Sequence, residues 1–189
     1  MLIEDGTGSG RTGRITVENR VAVDSISIPM AHHVNQYHGL AFEMYTSQTP
    51  VGTNPSADTE VGSFLYIKNS NDLPITLLEV RVWAESAEYI DIYLNDTGSP
   101  VDATTVTPIN MNLASGNTAS GTFLSGNNIT GLTKGTLFDR LRIPADNNDH
   151  VRRWPSNLII PKNNVLTFYA GNGSIPIEVS IQFYYHGKI

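Results

Sequence analysis

Along most of this chain apolar residues recur at every second position, the period of a β-strand. The run near the C-terminal end is the clearest. Ile177, Val179, Ile181, Phe183 and Tyr185 fall on one face, and Glu178, Ser180, Gln182, Tyr184 and His186 on the other. A strand with one apolar and one polar face belongs to an antiparallel sheet wetted on one side. The same period sets Leu78, Val80 and Val82 against Leu77, Glu79, Arg81 and Trp83. It sets Ile90, Ile92 and Leu94 against Tyr89, Asp91, Tyr93 and Asn95, and Leu65 and Ile67 against Phe64, Tyr66 and Lys68. Residues 41–46 read as a further short strand. Between 14 and 29, Ile15 and Val17, Val21 and Val23, and Ile26 and Ile28 are each spaced by two, with Asn19-Arg20 at the turn.

Clusters of Asn, Asp, Gly and Pro separate these runs at 69–72, 95–100, 147–149, 163–164 and 171–174, and a polar Pro/Gly/Ser loop leads up to Gly62. Helical spacing occurs at one place, where Met30, Val34 and Tyr37 suggest a short helix or an irregular loop. Strands without alternating helices exclude a parallel α/β fold and predict a sandwich or barrel. The stretch 104–134 is dense in Thr, Ser, Asn and Gly. Within it Ile109, Met111 and Leu113 alternate, so it reads as a strand followed by long excursions at one edge of the sandwich.

Composition narrows the function classes. Charged residues make up 16% of the 189, against roughly 25% in ordinary soluble domains. The formal charge of −6 argues against a nucleic-acid partner, because phosphate binding needs clustered Lys and Arg. The one basic cluster, His150-Val151-Arg152-Arg153, is too short to follow a phosphate backbone. No cysteine is present, which removes disulfides and thiolate chemistry. No stretch reaches the ~18 apolar residues of a membrane span, and the acidic, then glycine-rich opening lacks the pattern of a secretory signal. A soluble protein without a membrane partner is expected. The division is an extended glycine-rich arm at 1–13 that orders on a partner, followed by one β-sandwich domain at 14–189.

Three segments carry a family resemblance. They are IEDGTGSGRTGRITVENRVAVDSISIP at the opening, HVNQYHGLAFEMYT after it, and LIIPKNNVLTFYAGNGSIPIEVSIQFYYH at the close. Together they resemble tailed-phage virion structural proteins, in particular the jelly-roll proteins that decorate or cement capsids. That resemblance implies an antiparallel jelly-roll-like β-sandwich, often trimeric, on the capsid surface of a virion made in the host cytoplasm. It implies as partners the major capsid protein and further copies of the chain, and it carries no catalytic motif. On this reading Leu2, Ile3, Arg11 and Arg14 are the capsid contact of the arm. Phe64, Tyr66, Tyr89, Tyr93 and Tyr184 would form aromatic stripes at a subunit interface, where aromatics are enriched. A host-surface or glycan-binding module, with its site in the polar loops of 95–134, is the alternative.

Each chemical signal also has a plainer explanation. Gly8-x-Gly10-x-x-Gly13 matches a dinucleotide fingerprint, but a β-branched run follows where that mechanism needs a helix. His32, His33 and His38, with Glu43, raise a metal-dependent enzyme as a third reading. Ligands crowded into one short segment do not match a site drawn from neighbouring strands, so exposed or interface histidines are expected. Asp91 between Tyr89 and Tyr93 is the nearest candidate for carboxylate-pair glycoside chemistry, and a solvated sheet face accounts for it. Asp146-Asn147-Asn148-Asp149 offers oxygens to a hard cation but lacks an EF-hand glycine and glutamate, so an Asx turn is expected. The sequons at Asn95, Asn128 and Asn172 matter only in a secreted eukaryotic protein. The expectation is a non-catalytic protein without metal or cofactor.

Overall fold

The computed structural model describes residues 2–4, 12–15, 21–22, 34–50, 63–146, 148–155 and 157–186. Its strands in chain order are β1 (Leu2–Glu4), β2 (Thr12–Ile15), β3 (Val21–Ala22), β4 (Ala41–Gln48), β5 (Ser63–Asn69), β6 (Ile75–Ala84), β7 (Glu88–Leu94) and β8 (Thr97–Val101). They continue with β9 (Thr104–Thr105), β10 (Ile109–Asn110), β11 (Gly121–Thr133), β12 (Thr136–Ile143), β13 (His150–Arg152), β14 (Leu158–Ile160), β15 (Val165–Ala170) and β16 (Ile177–Tyr185). The helical spacing before Gly39 resolves into a single π-helical turn, Val34–His38.

Two antiparallel sheets pack face to face. The first runs β10-β4-β16-β6-β13, with β14 also on β6. The second runs β12-β7-β15-β5-β11-β8, with β9 on β11. Successive strands cross between the sheets: β4 lies in the first, β5 in the second, β6 in the first and β7 in the second. β12 stays beside β7, after which β13 and β14, β15 and β16 alternate again. The resulting order β4-β16-β6-β13/β14 over β5-β15-β7-β12 is that of a jelly roll. The span β8–β11 is an insertion into it. The all-β sandwich expected from the alternation is the fold.

The core lies between the sheets. Phe42, Met44, Val80, Val82 and the five inward residues of β16 from the first sheet meet Leu65, Ile67, Ile90, Ile92, Leu166 and Phe168 from the second. Phe183 stacks on Phe42 at 5.6 Å and reaches across to Phe123 at 5.5 Å. Burying a side chain of this size contributes roughly 2–3 kcal/mol, so the aromatic stack anchors one sheet to the other.

Two bulges change the faces expected from simple alternation. In β6 the register against β16 slips after Gln182, leaving Leu78 unpaired. Leu77 then points into the core with Val80 and Val82, while Leu78 packs outside against Val34, Ala41 and Tyr184. In β5 the register slips at Phe64, which turns that ring inward to 6.3 Å from Phe168.

In the N-terminal region, β1, β2 and β3 form an antiparallel three-stranded sheet, with Leu2 opposite Arg14 and Ile3 opposite Gly13. Arg11, Gly8, Gly10 and the expected turn at Asn19-Arg20 lie outside the described residues. So do His32, His33 and the stretches around Val17, Ile26 and Ile28.

Candidate functional site

The outer face of the first sheet carries a trough that crosses its strands. Cross-strand register builds it: Glu43 stands opposite Ile109 on one side and Gln182 on the other, Tyr45 opposite Ser180, Ser180 opposite Arg81, and Glu178 opposite Trp83. All these side chains point away from the core because Phe42, Met44, Val179, Ile181, Val80 and Val82 occupy the alternate positions. At the β10 end the trough is a depression of about 700 Å³ lined by Tyr45, Ile109, Met111 and Leu113 beside Glu43. At the β6 end it continues as a depression of about 240 Å³ lined by Glu43, Tyr45, Glu178, Ser180, Arg81, Trp83 and Asp149.

The two ends differ in chemistry. Ile109 is 67% exposed, Leu113 87% and Tyr45 56%, so an apolar row stands in solvent along β4, the edge strand β10 and the turn that follows it. Contiguous apolar surface of this kind marks interaction sites more often than scattered exposed residues do. The other end is acidic. Glu43 accepts a hydrogen bond from Ser180 Oγ at 2.7 Å. Desolvation against the sheet, and then the Glu178 carboxylate that accepts a hydrogen bond from its hydroxyl, raise the Tyr45 phenol above its ordinary pKa. Arg81 is the cation lining this end, and it is tied at 3.0 Å to Glu79, which Arg153 also holds at 2.5 Å.

The outer face of the second sheet is covered instead. β11 pairs with β5, whereas β12, two residues later, pairs with β7 on the far side of β15. The chain from Ile129 to Lys134 therefore crosses this face. Ile129 and Leu132 cover Tyr66 and Val165, and Lys134 Nζ lies 5.3 Å from the Tyr93 ring and 5.0 Å from Tyr169. Tyr169 donates its hydroxyl to Asp96, whose other oxygen accepts from the Gly135 amide at 2.8 Å. Beyond the crossing, Arg140 makes a two-pronged pair with Asp91 at 2.5 and 2.7 Å and stacks over Tyr89 at 4.6 Å.

These placements correct the aromatic stripe. Phe64 is wholly buried between the sheets, Tyr66 is 4% exposed beneath the crossing segment, and Tyr184 is 4% exposed under Val34 and Ala41. None of the three is available to a second subunit, because folding of the one chain already covers them. Tyr184 also lies on the opposite sheet from Phe64 and Tyr66. Tyr89 and Tyr93 are half-buried, each with a cation of the same chain over its ring. Tyr45, Ile109, Met111 and Leu113 are exposed and lie outside that stripe, as do Val101, Leu137, Phe138, Val151 and Ile159 elsewhere on the surface.

The remaining candidates resolve singly. Asp91 is committed to Arg140. Asp146 accepts from His150 and from the Asn148 amide, an Asx turn as expected; the His150 hydrogen bond is the main cause that lowers its pKa. Asn147 is outside the described residues. The basic cluster is divided among three carboxylates: His150 on Asp146, Arg152 on Asp139 and Arg153 on Glu79. His38 is exposed. Among the described residues no group of three or more His, Asp or Glu is arranged to hold a metal.

A further depression of about 450 Å³ lies where β11 bulges, lined by the polar residues Gln48, Asp102, Thr104, Ser125, Asn127 and Asn128 with Gly126. Gln48 reaches Ser125 across it, and Asn127 accepts from the Thr49 amide. Comparison of the chain with protein-family models, with curated proteins and with solved structures finds no match.

Proposed function

We propose that the chain is a non-catalytic structural subunit of a virus particle, a decoration or cement protein that binds the assembled capsid through the outer face of its first sheet. The observation that carries the docking role is the exposed apolar row of Tyr45, Ile109, Met111 and Leu113, held on a sheet whose other face is the core. The buried carboxylates support a structural rather than catalytic chemistry. Asp91 and Glu79 hold arginines, Asp96 holds Tyr169 and Gly135, and Glu88 holds three backbone amides. Each is engaged in fixing strands and loops, where a general acid or base must be free to meet a substrate.

The particle context rests on the three segments that resemble phage virion proteins. A subunit of this kind acts by linkage: it binds the assembled shell in preference to the dispersed one and so stabilises assembly by mass action. Copies related by closed symmetry, as a homotrimer, fit the same role. Co-sedimentation of the purified chain with capsids of the virus that encodes it tests the proposal. Saturable binding is the expected result. Absence of the chain from purified particles and from co-sedimented capsids refutes the virion role.

The polar depression at the β11 bulge favours a second reading, glycan binding. Its lining of amides and hydroxyls suits sugar hydroxyls, and it lies in the Asn/Ser/Thr-rich region. Selective binding on a glycan array, abolished by N127A/N128A, would support that reading over capsid docking.

A further inference from the structure

The trough is chemically asymmetric, and its asymmetry specifies what fits. We infer that it receives an extended segment of a partner protein in which an apolar side chain and a basic side chain stand on the same face, two or four residues apart. This inference rests on the docking role proposed above and names the chemistry of the contact.

The spacing comes from the sheet. The apolar end lies on β4, β10 and the turn after β10, formed by Tyr45, Ile109, Met111 and Leu113. The acidic end lies on β16 and β6, where Glu178 faces Trp83 across the strand boundary. Strands are spaced by about 4.8 Å, and the two centres are two strand spacings apart, roughly 10 Å. An extended chain advances about 3.3 Å per residue and points alternate side chains to the same side. Residues i and i+2 stand about 7 Å apart on one face and i and i+4 about 13 Å, and the long arm of a lysine or arginine closes the difference in either case, whereas i+3 points away.

The charge comes from the lining. Glu43, Glu178 and Asp149 border the acidic end against the Arg81 of its lining, which shares Glu79 with Arg153, so three carboxylates face a single guanidinium. An ammonium or guanidinium entering there meets carboxylates on two sides. Trp83 and Tyr45 bring aromatic rings to the same depression, and rings of this kind attract cations over their faces. The same arithmetic disfavours a second copy of this chain as the occupant. Its formal charge of −6 sets copies against each other at an acidic surface. A neutral glycan could stack on the rings but would leave the carboxylates without a counter-charge and the apolar row uncovered.

The test uses the full chain and capped threonine-rich nonapeptides that carry one leucine and one arginine two or four residues apart. Binding is read by isothermal titration calorimetry at low and high salt, with wild type, E43Q/E178Q and Y45A. The expected result is binding that falls about tenfold when arginine is replaced by glutamate, when leucine is replaced by threonine, or when either variant replaces wild type, and that weakens as salt screens the pair. Equal affinity for the arginine and glutamate peptides, binding unchanged in E43Q/E178Q, or no peptide binding at all overturns the inference. So does a neutral glycan that binds and is lost in Y45A. Scoring the same variants for capsid co-sedimentation separates the two claims. Capsid binding that persists in both variants overturns the trough chemistry and leaves the virion role standing; peptide binding without capsid binding does the reverse.

Discussion

Glu88 ties the start of β7 to the loop that leads into the last strand, and removing its carboxylate should cost about 3 kcal/mol. The residue is 4% exposed. One oxygen accepts from the Tyr89 and Asn172 amides and the other from the Gly173 amide, each at 2.8 Å. The loop needs this support because Gly173 and Ser174 both adopt positive φ, 66° and 61°. For a non-glycine residue such as Ser174 that conformation is itself unfavourable. A hydrogen bond to a charged group contributes roughly 1.5–3 kcal/mol. Two such bonds span the chain from Glu88 to the loop. Asn172 is exposed and its amide can recover water, whereas Gly173 is buried and its amide cannot. Glu88→Ala should therefore lose about 3 kcal/mol, equivalent to about 6–12 °C in Tm for a domain of this size.

Glu88→Gln separates the carboxylate's role from simple packing. Its amide oxygen can still serve Tyr89 and Asn172, while its NH2 group opposes Gly173, so about 1–2 kcal/mol should be lost. Urea unfolding followed by circular dichroism gives both numbers, with unchanged m-values showing that the unfolded surface is the same. A loss below about 1 kcal/mol in Glu88→Ala, or equal losses in the two variants, would refute the reasoning.

The corrected burial of the aromatics predicts that Phe64→Ala costs about 3–5 kcal/mol in the same urea assay without altering oligomeric state. Tyr45→Ala, on the exposed face, should change stability by less than about 0.5 kcal/mol. At alkaline pH the buried phenols dominate. Burial raises the Tyr169 phenol, helped by Asp96, and pushes Tyr185 up to about 12. Because the folded values lie above the unfolded value of about 10, this stability is full below pH 10 and is lost as pH rises toward 12. Absorbance at 295 nm should show both tyrosines ionising only with unfolding, and Tyr185→Phe should lessen the loss of stability above pH 10. Gly98, at φ 105°, has its missing Cβ position filled by the Gly131 carbonyl of the paired strand. Gly98→Ala should cost about 2 kcal/mol or more and raise hydrogen exchange at 129–134, which crosses the second sheet; unaltered exchange there would count against the β8–β11 pairing as the clamp.

Much of the fold was legible because alternation reports directly which side of a sheet is dry. In β16 the five residues assigned to one face are the five that enter the core. Alternation fails where the backbone inserts a residue. Leu78, Val80 and Val82 look like one face, yet the bulge moves Leu78 outside and brings Leu77 in. A bulge exchanges faces without a compulsory sequence marker, since Leu77 and Leu78 are equally apolar. Phe64 was misplaced for the same reason.

The site was less legible because exposure is decided by what lies on top of a strand, and that is a long-range property. Tyr66, on the face opposite its core neighbours Leu65 and Ile67, reads as an outward aromatic. It is buried only because the chain after Ile129 must cross from the β5 side of its sheet to reach β12 beside β7. Ile109, Met111 and Leu113 present the reverse case. Their alternation has the signature of a half-buried strand, but β10 holds β4 through just two residues at the sheet edge and nothing in the described chain covers it. A sequence that spends three large apolar side chains on an uncovered edge loses solubility and invites unwanted strand pairing. The carboxylates of Glu43 and Glu178 beside that edge blunt the liability toward acidic partners, this chain's own copies included, while leaving it open to basic ones. The same residues that are poor choices for an isolated monomer are consistent choices for a surface whose proper state is covered.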